Sequence, residues 1–119
     1  VHSVDAKTGE LLWSKINPNN CGDIKFCDPG VSAALTAIPG AVIAGHQDGK
    51  IRIYDKEDGE ILWSFNALRE FDSVSGVPAS GGGFSGPGSA VRNGYMAMNS
   101  GYGIYYHMPG NALLLFTVD

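Results

Sequence analysis

The sequence has no apolar run that approaches the ~20 residues needed to span a bilayer as a helix. It also has no cluster of basic residues: eight lysines and arginines are scattered among twelve acidic residues, for a net charge of −4. This distribution excludes the basic face that nucleic-acid binding requires. No segment repeats its apolar residues with the 3.6-residue period of an amphipathic helix. These absences favour a folded chain built from strands.

Glycine, in contrast, is abundant, with 17 residues in a chain of 119. The glycines occur at turns and in one loop, Gly81–Gly88, and they show no collagen-like period. Apolar residues make up 44% of the chain and charged residues 17%, which is typical of a folded domain rather than a disordered one.

Two short segments, residues 1–14 and 51–64, nearly repeat each other. Asp5, Gly9 and Trp13 recur as Asp55, Gly59 and Trp63, at a constant offset of 50 residues. Each segment reads as an alternating strand, a polar turn that closes on glycine, and a second strand that carries Leu-Trp. Self-similarity at such a period indicates a repeat architecture, and 50 residues leave room for the four strands of a propeller blade.

The repeat divides the chain into parts of blades. Residues 1–15 end one blade, residues 31–66 form a complete blade, residues 67–88 are a glycine-rich loop, and residues 89–119 form an incomplete blade. The complete blade has four predicted strands: Val31–Ile38, Ala41–Gly45, Lys50–Asp55 and Glu60–Asn66. The predicted fold is all-β, about two and a half four-stranded antiparallel blades. Because propellers usually close with four to eight blades, we expect the chain to be part of a longer polypeptide.

The repeated hairpin resembles the tryptophan-docking repeat of pyrroloquinoline-quinone (PQQ) dehydrogenases. Propellers without a cofactor, such as the bacterial outer-membrane assembly lipoprotein, carry the same repeat, so the repeat alone implies the fold and not the activity. Further segments resemble the C-terminal part of polyvinyl-alcohol-dehydrogenase-like quinoproteins: Phe26–Ala34, Thr36–Gly40, Ser75–Ala79, Gly81–Gly88, Asn99–Gly103 and Pro109–Leu114.

This resemblance implies an eight-bladed propeller that holds PQQ and Ca²⁺ and oxidises the alcohol groups of a small or polymeric substrate. It also implies a periplasmic or secreted location and a possible cytochrome c electron acceptor. No Cys-x-x-Cys-His motif is present, so a haem would lie outside this sequence. Two alternatives stay open: a cofactor-free propeller that binds protein partners, and a fragment without activity of its own.

The resemblance places the catalytic base at Asp28, on the connector that enters an inner strand. The alternative is structural, because Asp-Pro-Gly also forms an ordinary turn in which the aspartate accepts backbone N–H groups. The family's quinone-polarising cation precedes the glycine of a later turn. This sequence has Gln47 there, which makes Gln47 the cofactor-binding candidate of that turn. Either His46 or Lys50 replaces that cation, or the turn is simply solvated.

The loop glycines Gly82 and Gly83 are candidates for contact with a flat cofactor, and a plain crossover loop is the alternative. The aromatic turn Tyr102–His107 either shapes a substrate entrance or lies on the surface. The resemblance assigns no calcium ligands here with any specificity, and Asn99 and Asn111 are the only candidates it offers.

The two cysteines, Cys21 and Cys27, lie close together in a polar connector. A disulfide between them suits an oxidising compartment and would stabilise the fold by roughly 2–3 kcal/mol. A zinc site is disfavoured, because two further ligands at suitable spacing are missing. For the two tryptophans, packing between neighbouring sheets is favoured over stacking on a ligand, since both occupy the repeated position.

Overall fold

The computed structural model describes residues 1–118, and these residues contain strands and turns but no helix. Consequently, no helix in this range is long and apolar enough to cross a membrane. Thirteen strands follow one another along the described chain: β1 His2–Val4, β2 Leu11–Ser14, β3 Ser32–Ala33, β4 Thr36–Ile38, β5 Ala41–Gly45, β6 Lys50–Asp55, β7 Ile61–Asn66, β8 Glu70–Phe71, β9 Ala79–Ser80, β10 Ser85–Gly86, β11 Ala90–Arg92, β12 Tyr95–Ser100 and β13 Ala112–Thr117.

The repeated hairpin has the same hydrogen bonds in both copies. Gly9 donates its backbone N–H to the Asp5 carbonyl at 2.7 Å, and Gly59 donates to the Asp55 carbonyl at 3.0 Å. The two glycines have φ angles of 74° and 73°, in the left-handed region that a β-carbon disfavours. The shared turn geometry therefore explains why glycine recurs at this position.

Strands β4 to β7 form one antiparallel four-stranded sheet in sequence order. Side chains along β6 alternate between its two faces, as in any strand. Tyr54 faces the first hairpin, where it stacks on Trp13. Ile51 lies on the other face, in the apolar core shared with the sheet of strands β11 to β13. Both faces of the central blade are thus covered, which accounts for its largely apolar inner strands.

Strands β11 to β13 form a three-stranded antiparallel sheet. Its first turn, Asn93-Gly94, has φ angles of 50° and 77°, as a tight two-residue hairpin turn requires. The core between this sheet and the four-stranded sheet consists of buried apolar residues from both and from the connectors: Ala33, Ile43, Ile51, Ala67, Ala79, Phe84, Met96, Met98, Ala112 and Leu114.

Trp13 joins the first hairpin to the central blade. Its indole Nε1–H donates to the Lys56 carbonyl at 2.8 Å. A β-carbon at Gly59 would lie 2.5 Å from the indole ring, so the ring packs directly on that glycine. Trp63 packs in the corresponding direction, edge-on against Phe116 of β13 with ring centroids 5.5 Å apart. Both indoles therefore pack toward the following sheet, as the repeat predicts.

Two segments, the predicted strand 31–38 and the loop 67–88, differ from their predicted form. The predicted strand Val31–Ile38 is divided: only β4 belongs to the blade, while β3 pairs in parallel with β10. Loop 67–88 contains three short strands, and β8 pairs with β9. The division arises because Ala34 donates its N–H to Gly86 of the next connector and not to the neighbouring strand β5. The two connectors are thereby hydrogen-bonded to each other.

The described residues are thus all-β and form parts of consecutive propeller blades. Large apolar side chains on the outermost strands stay exposed, among them Leu11 and Leu12 on β2 and Leu113 and Leu115 on β13. In a propeller such faces are covered by adjacent blades, since each repeat packs against its neighbours.

Candidate functional site

Four connectors meet at one end of the sheets: residues 15–31, 46–49, 67–89 and 101–111. Strand β5 ends, β6 begins and β7 ends at this edge, because Gly45 pairs with Ile51 and Lys50 pairs with Asn66. Backbone hydrogen bonds then join the connectors: Gln47 N–H donates to the Gly30 carbonyl at 3.0 Å, and Phe84 N–H donates to the His46 carbonyl at 3.0 Å. Residues distant in sequence therefore share one end of the molecule.

Asp28 lies on the first of these connectors, with an exposed side chain. Its Oδ1 accepts the Gly30 N–H at 2.6 Å, which is the turn geometry that Asp-Pro-Gly also predicts. In the residues the structure describes, its Oδ2 accepts no hydrogen bond. Asp28 lines an open cleft together with His46, Leu35 and Asn17. One oxygen of the carboxylate is thus held by the turn, and the residue borders an open cleft.

The turn that contains Gln47 is buried, so the expectation of a solvated turn is wrong. His46 is fully buried, and Asp48 is only 7% exposed. Asp48 is neutralised by Arg52 through two hydrogen bonds of 3.1 Å and 2.6 Å, a bidentate carboxylate–guanidinium pair. Because Arg52 serves Asp48, its guanidinium is not a free cation for a ligand.

His46 does not offer a free ring N–H either. Its Nδ1–H donates to the Pro29 carbonyl at 2.8 Å, because a carbonyl oxygen can only accept. Its Nε2 therefore accepts the Tyr54 hydroxyl at 3.0 Å, and the Tyr54 oxygen accepts from Asn17 Nδ2 at 2.8 Å. Burial lowers the pKa of His46 and raises the pKa of Tyr54, so both side chains stay neutral.

The Gln47 side chain points toward the connector of residues 101–111. Its Nε2 donates to His107 Nε2 at 3.0 Å. The His107 Nδ1 atom is buried and has no hydrogen-bond partner within residues 1–118. Tyr102, Tyr105 and Tyr106 in the same turn are exposed, whereas His107 is half-buried. Gln47 thus lies beside the aromatic turn, and among the aromatic side chains of that turn only His107 is partly buried.

Gly82 and Gly83 are buried beside the same turn. A β-carbon at Gly82 would lie 2.4 Å from the Met108 carbonyl oxygen, and one at Gly83 would lie 3.2 Å from that of Gln47. Ser100 Oγ also bonds both polar backbone atoms of Gly82, at 2.9 and 3.0 Å. Close packing of the connectors therefore explains both glycines, and their contact with a cofactor stays a prediction.

The described residues do not form a calcium site by themselves. Among residues 1–118, no three His, Cys, Asp or Glu side chains lie close enough to share a metal ion. Asn99 is exposed on β12. Asn111 is already used, because its Oδ1 accepts the Ser80 N–H at 2.7 Å and its Nδ2 donates to the Pro78 carbonyl at 3.2 Å.

Cys21 and Cys27 form a disulfide, with their Cα atoms 5.6 Å apart. The bond closes a small loop in the connector that leads directly into Asp28. Since a short loop still loses conformational freedom in the unfolded chain, the bond stabilises the connector. The sequence favours this disulfide over a zinc site without deciding whether it forms, and the structure shows the bond.

The sequence did not reveal the hydrogen-bonded set of Asn17, His46 and Tyr54. The sequence offers His46 only as a replacement cation, and it does not single out Asn17 or Tyr54. The one available signal was the histidine at the end of an apolar strand, which often marks a satisfied buried ring.

The fold and this end of the molecule define a class: the chain is a segment of a tryptophan-docking β-propeller. No family model matches it. It is 40% identical, over its whole length, to a polyvinylalcohol dehydrogenase of Pseudomonas sp.. It is 31% identical over 98% of its length to a polyvinylalcohol dehydrogenase of Sphingopyxis sp. (strain 113P3).

A third relative is the dehydrogenase subunit of a quinone alcohol dehydrogenase from Gluconacetobacter polyoxogenes, 37% identical over 56% of the chain and 9% of that protein. The chain spans about a fifth of the length of the two polyvinylalcohol dehydrogenases. These matches support a PQQ-dehydrogenase-like fragment, because the relatives are named as alcohol dehydrogenases.

Proposed function

We propose that the full-length polypeptide oxidises alcohol groups, with PQQ as hydride acceptor, and that this chain contributes parts of three consecutive blades and the base Asp28. Oxidation of an alcohol to a carbonyl removes the hydroxyl proton and a hydride from the carbinol carbon. A carboxylate in reach of the hydroxyl accepts the proton. PQQ, held with Ca²⁺, supplies the hydride acceptor when it is bound.

The observation that carries the proposal is the state of the Asp28 carboxylate. Its Oδ1 is fixed by the Gly30 N–H at 2.6 Å, its Oδ2 accepts no hydrogen bond within the described chain, and the residue lines an open cleft. A base needs this combination, because a held carboxylate approaches a hydroxyl in one orientation without rearranging first. The similarity to polyvinylalcohol dehydrogenases, which covers the connectors as well as the strands, supports the same substrate class.

The test uses the full-length polypeptide reconstituted with PQQ and Ca²⁺. Dye reduction is followed with polyvinyl alcohol and with a small secondary alcohol as substrates. We expect reduction that depends on added quinone. We expect Asp28→Asn to lower kcat by at least about 100-fold, since general base catalysis contributes 10²–10⁴.

The matched control is Asp23→Asn, which removes another exposed carboxylate from the same connector, inside the disulfide loop. The kcat of this variant should stay within about twofold of wild type. Asp23 lies inside the disulfide loop that closes at Cys27, and it does not belong to the turn of Asp28. Equal losses in both variants would show that Asp28 has no special role.

A second candidate function is a cofactor-free propeller that binds protein partners. The observation in its favour is the Gln47 turn, in which Arg52 is neutralised by Asp48 and no lysine or arginine precedes the glycine. In that case the full-length protein is folded but reduces no dye with any alcohol after incubation with PQQ and Ca²⁺.

A periplasmic or secreted location is part of the proposal. The Cys21–Cys27 disulfide supports it, because such bonds persist in oxidising compartments. Cytochrome c as the electron acceptor stays a prediction from the resemblance. Fractionation of the native cells, with disulfide status read by thiol labelling, tests the location.

A further inference from the structure

We infer that His46 is a positioning residue for the Asp28 carboxylate and acts through the single peptide group between Pro29 and Gly30. The inference rests on the proposed function of Asp28. Its geometric basis is independent of that function, because it consists of hydrogen bonds inside the described chain.

One rigid peptide group links the two side chains. The Pro29 carbonyl accepts from His46 Nδ1 at 2.8 Å, and the Gly30 N–H donates to Asp28 Oδ1 at 2.6 Å. This carbonyl and this N–H belong to the same planar unit, so they cannot turn independently. The bond from His46 therefore sets the direction in which the N–H points toward Asp28.

The next peptide is held as well. Gln47 donates its backbone N–H to the Gly30 carbonyl at 3.0 Å, from the residue that directly follows His46. Two consecutive residues of the buried turn thus bind two consecutive carbonyls of the exposed connector. The connector is fixed at Asp28 even though the aspartate itself is exposed.

The His46 ring is also held at its other nitrogen, Nε2. Tyr54 donates to its Nε2 at 3.0 Å and accepts from Asn17 Nδ2 at 2.8 Å. His46 and Tyr54 are both fully buried. The bond from Tyr54 leaves the proton on Nδ1, where it is needed for the Pro29 carbonyl. Asn17 begins the same connector that Asp28 ends, so the three side chains hold both ends of it.

The test measures kcat and KM of the full-length polypeptide with polyvinyl alcohol. His46→Leu removes both hydrogen bonds, and we expect kcat to fall about 10- to 100-fold because misplaced catalytic groups lose that much. KM should stay within about twofold. His46→Asn keeps a donor near the Nδ1 position, and it should recover most of the lost kcat. Tyr54→Phe, a milder change, should lose about threefold.

A double variant separates positioning from general stability. If His46 acts through Asp28, adding His46→Leu to Asp28→Asn lowers kcat no further, since the carboxylate it positions is gone. Thr36→Val is the control: it also removes a hydrogen bond to a connector carbonyl, that of Ser89 at 2.7 Å, and should leave kcat within twofold. Multiplying losses in the double variant would overturn the inference.

Amide hydrogen exchange of the Gly30 N–H gives a readout that does not need activity. We expect exchange about tenfold faster in His46→Leu and near wild type in His46→Asn, because only the second keeps the donor. If His46→Leu does not fold, Tyr54→Phe replaces it in both measurements. If the wild type oxidises no alcohol, the proposed function fails, and exchange at Gly30 alone decides about His46. Unchanged exchange in His46→Leu or Tyr54→Phe overturns the inference.

Discussion

Replacing Gly59 with alanine tests the contact that joins the first hairpin to the central blade. Gly59 has a φ of 73°, and a β-carbon there would lie 2.5 Å from the Trp13 ring. The left-handed backbone alone costs alanine roughly 1 kcal/mol. The new methyl group also displaces the indole.

The displaced indole loses two further interactions. Its hydrogen bond to the Lys56 carbonyl, at 2.8 Å, is worth about 1 kcal/mol. Its stacking on Tyr54, with centroids 6.4 Å apart, contributes roughly another 1 kcal/mol. We therefore expect Gly59→Ala to lower the free energy of unfolding by about 3 kcal/mol.

Gly40→Ala is the matched control. Gly40 has a φ of 81°, and a β-carbon there would meet nothing within 4 Å, so only the backbone cost of roughly 1 kcal/mol applies. The assay is denaturant unfolding of the full-length polypeptide, followed by tryptophan fluorescence. Equal losses in the two variants would refute the docking argument. In a Trp13→Leu background, the excess cost of Gly59→Ala should shrink by more than 1 kcal/mol.

Three further results are expected. Reduction of the Cys21–Cys27 bond should destabilise the protein by about 2 kcal/mol in thermal unfolding, while the double serine variant should not respond to reductant. Arg52→Met should cost about 3 kcal/mol, since it leaves the buried Asp48 charge unpaired, and adding Asp48→Leu should restore part of that loss in the same denaturation assay. Because burial lowers the pKa of His46, the neutral ring stabilises the fold above its ordinary value of about 6.5, and this stability is lost as the pH falls below that value. Unfolding midpoints between pH 7.5 and pH 5 should therefore fall in wild type and stay flatter in His46→Asn.

The sequence was sufficient wherever a local pattern determines local structure. The Asp5 and Asp55 turns were predicted because their glycines occupy the same place after the same strand. The packing of Trp13 between sheets was predictable from the repeat, since a residue that recurs in phase occupies equivalent positions between sheets. The spacing of two cysteines in one polar connector favoured a disulfide, and the structure shows that it forms.

Contacts between distant segments were not predictable in this way. The parallel pairing of Ser32 with Ser85 has no local signal, because it joins two connectors in different parts of the chain. The turn that begins at His46 reads as polar and was therefore expected to be solvated. It is buried because its polar groups find partners far along the chain, such as Pro29, and those partners cannot be recognised before the blades are assembled.

The two ends of the sheets differ greatly in the length of their turns. At one end, strands are joined by tight turns such as Pro39-Gly40 and Asn93-Gly94. The other end holds every long connector, including the one that carries Asp28. A fluorophore or a tether to a solid support attached at Asn93 would thus lie at the end of the sheets opposite Asp28. It would leave the cleft beside Asp28 unobstructed, even for a polymer too large to diffuse around the molecule. Attachment sites at one end of the sheets and substitutions in the connectors at the other end can therefore be engineered separately.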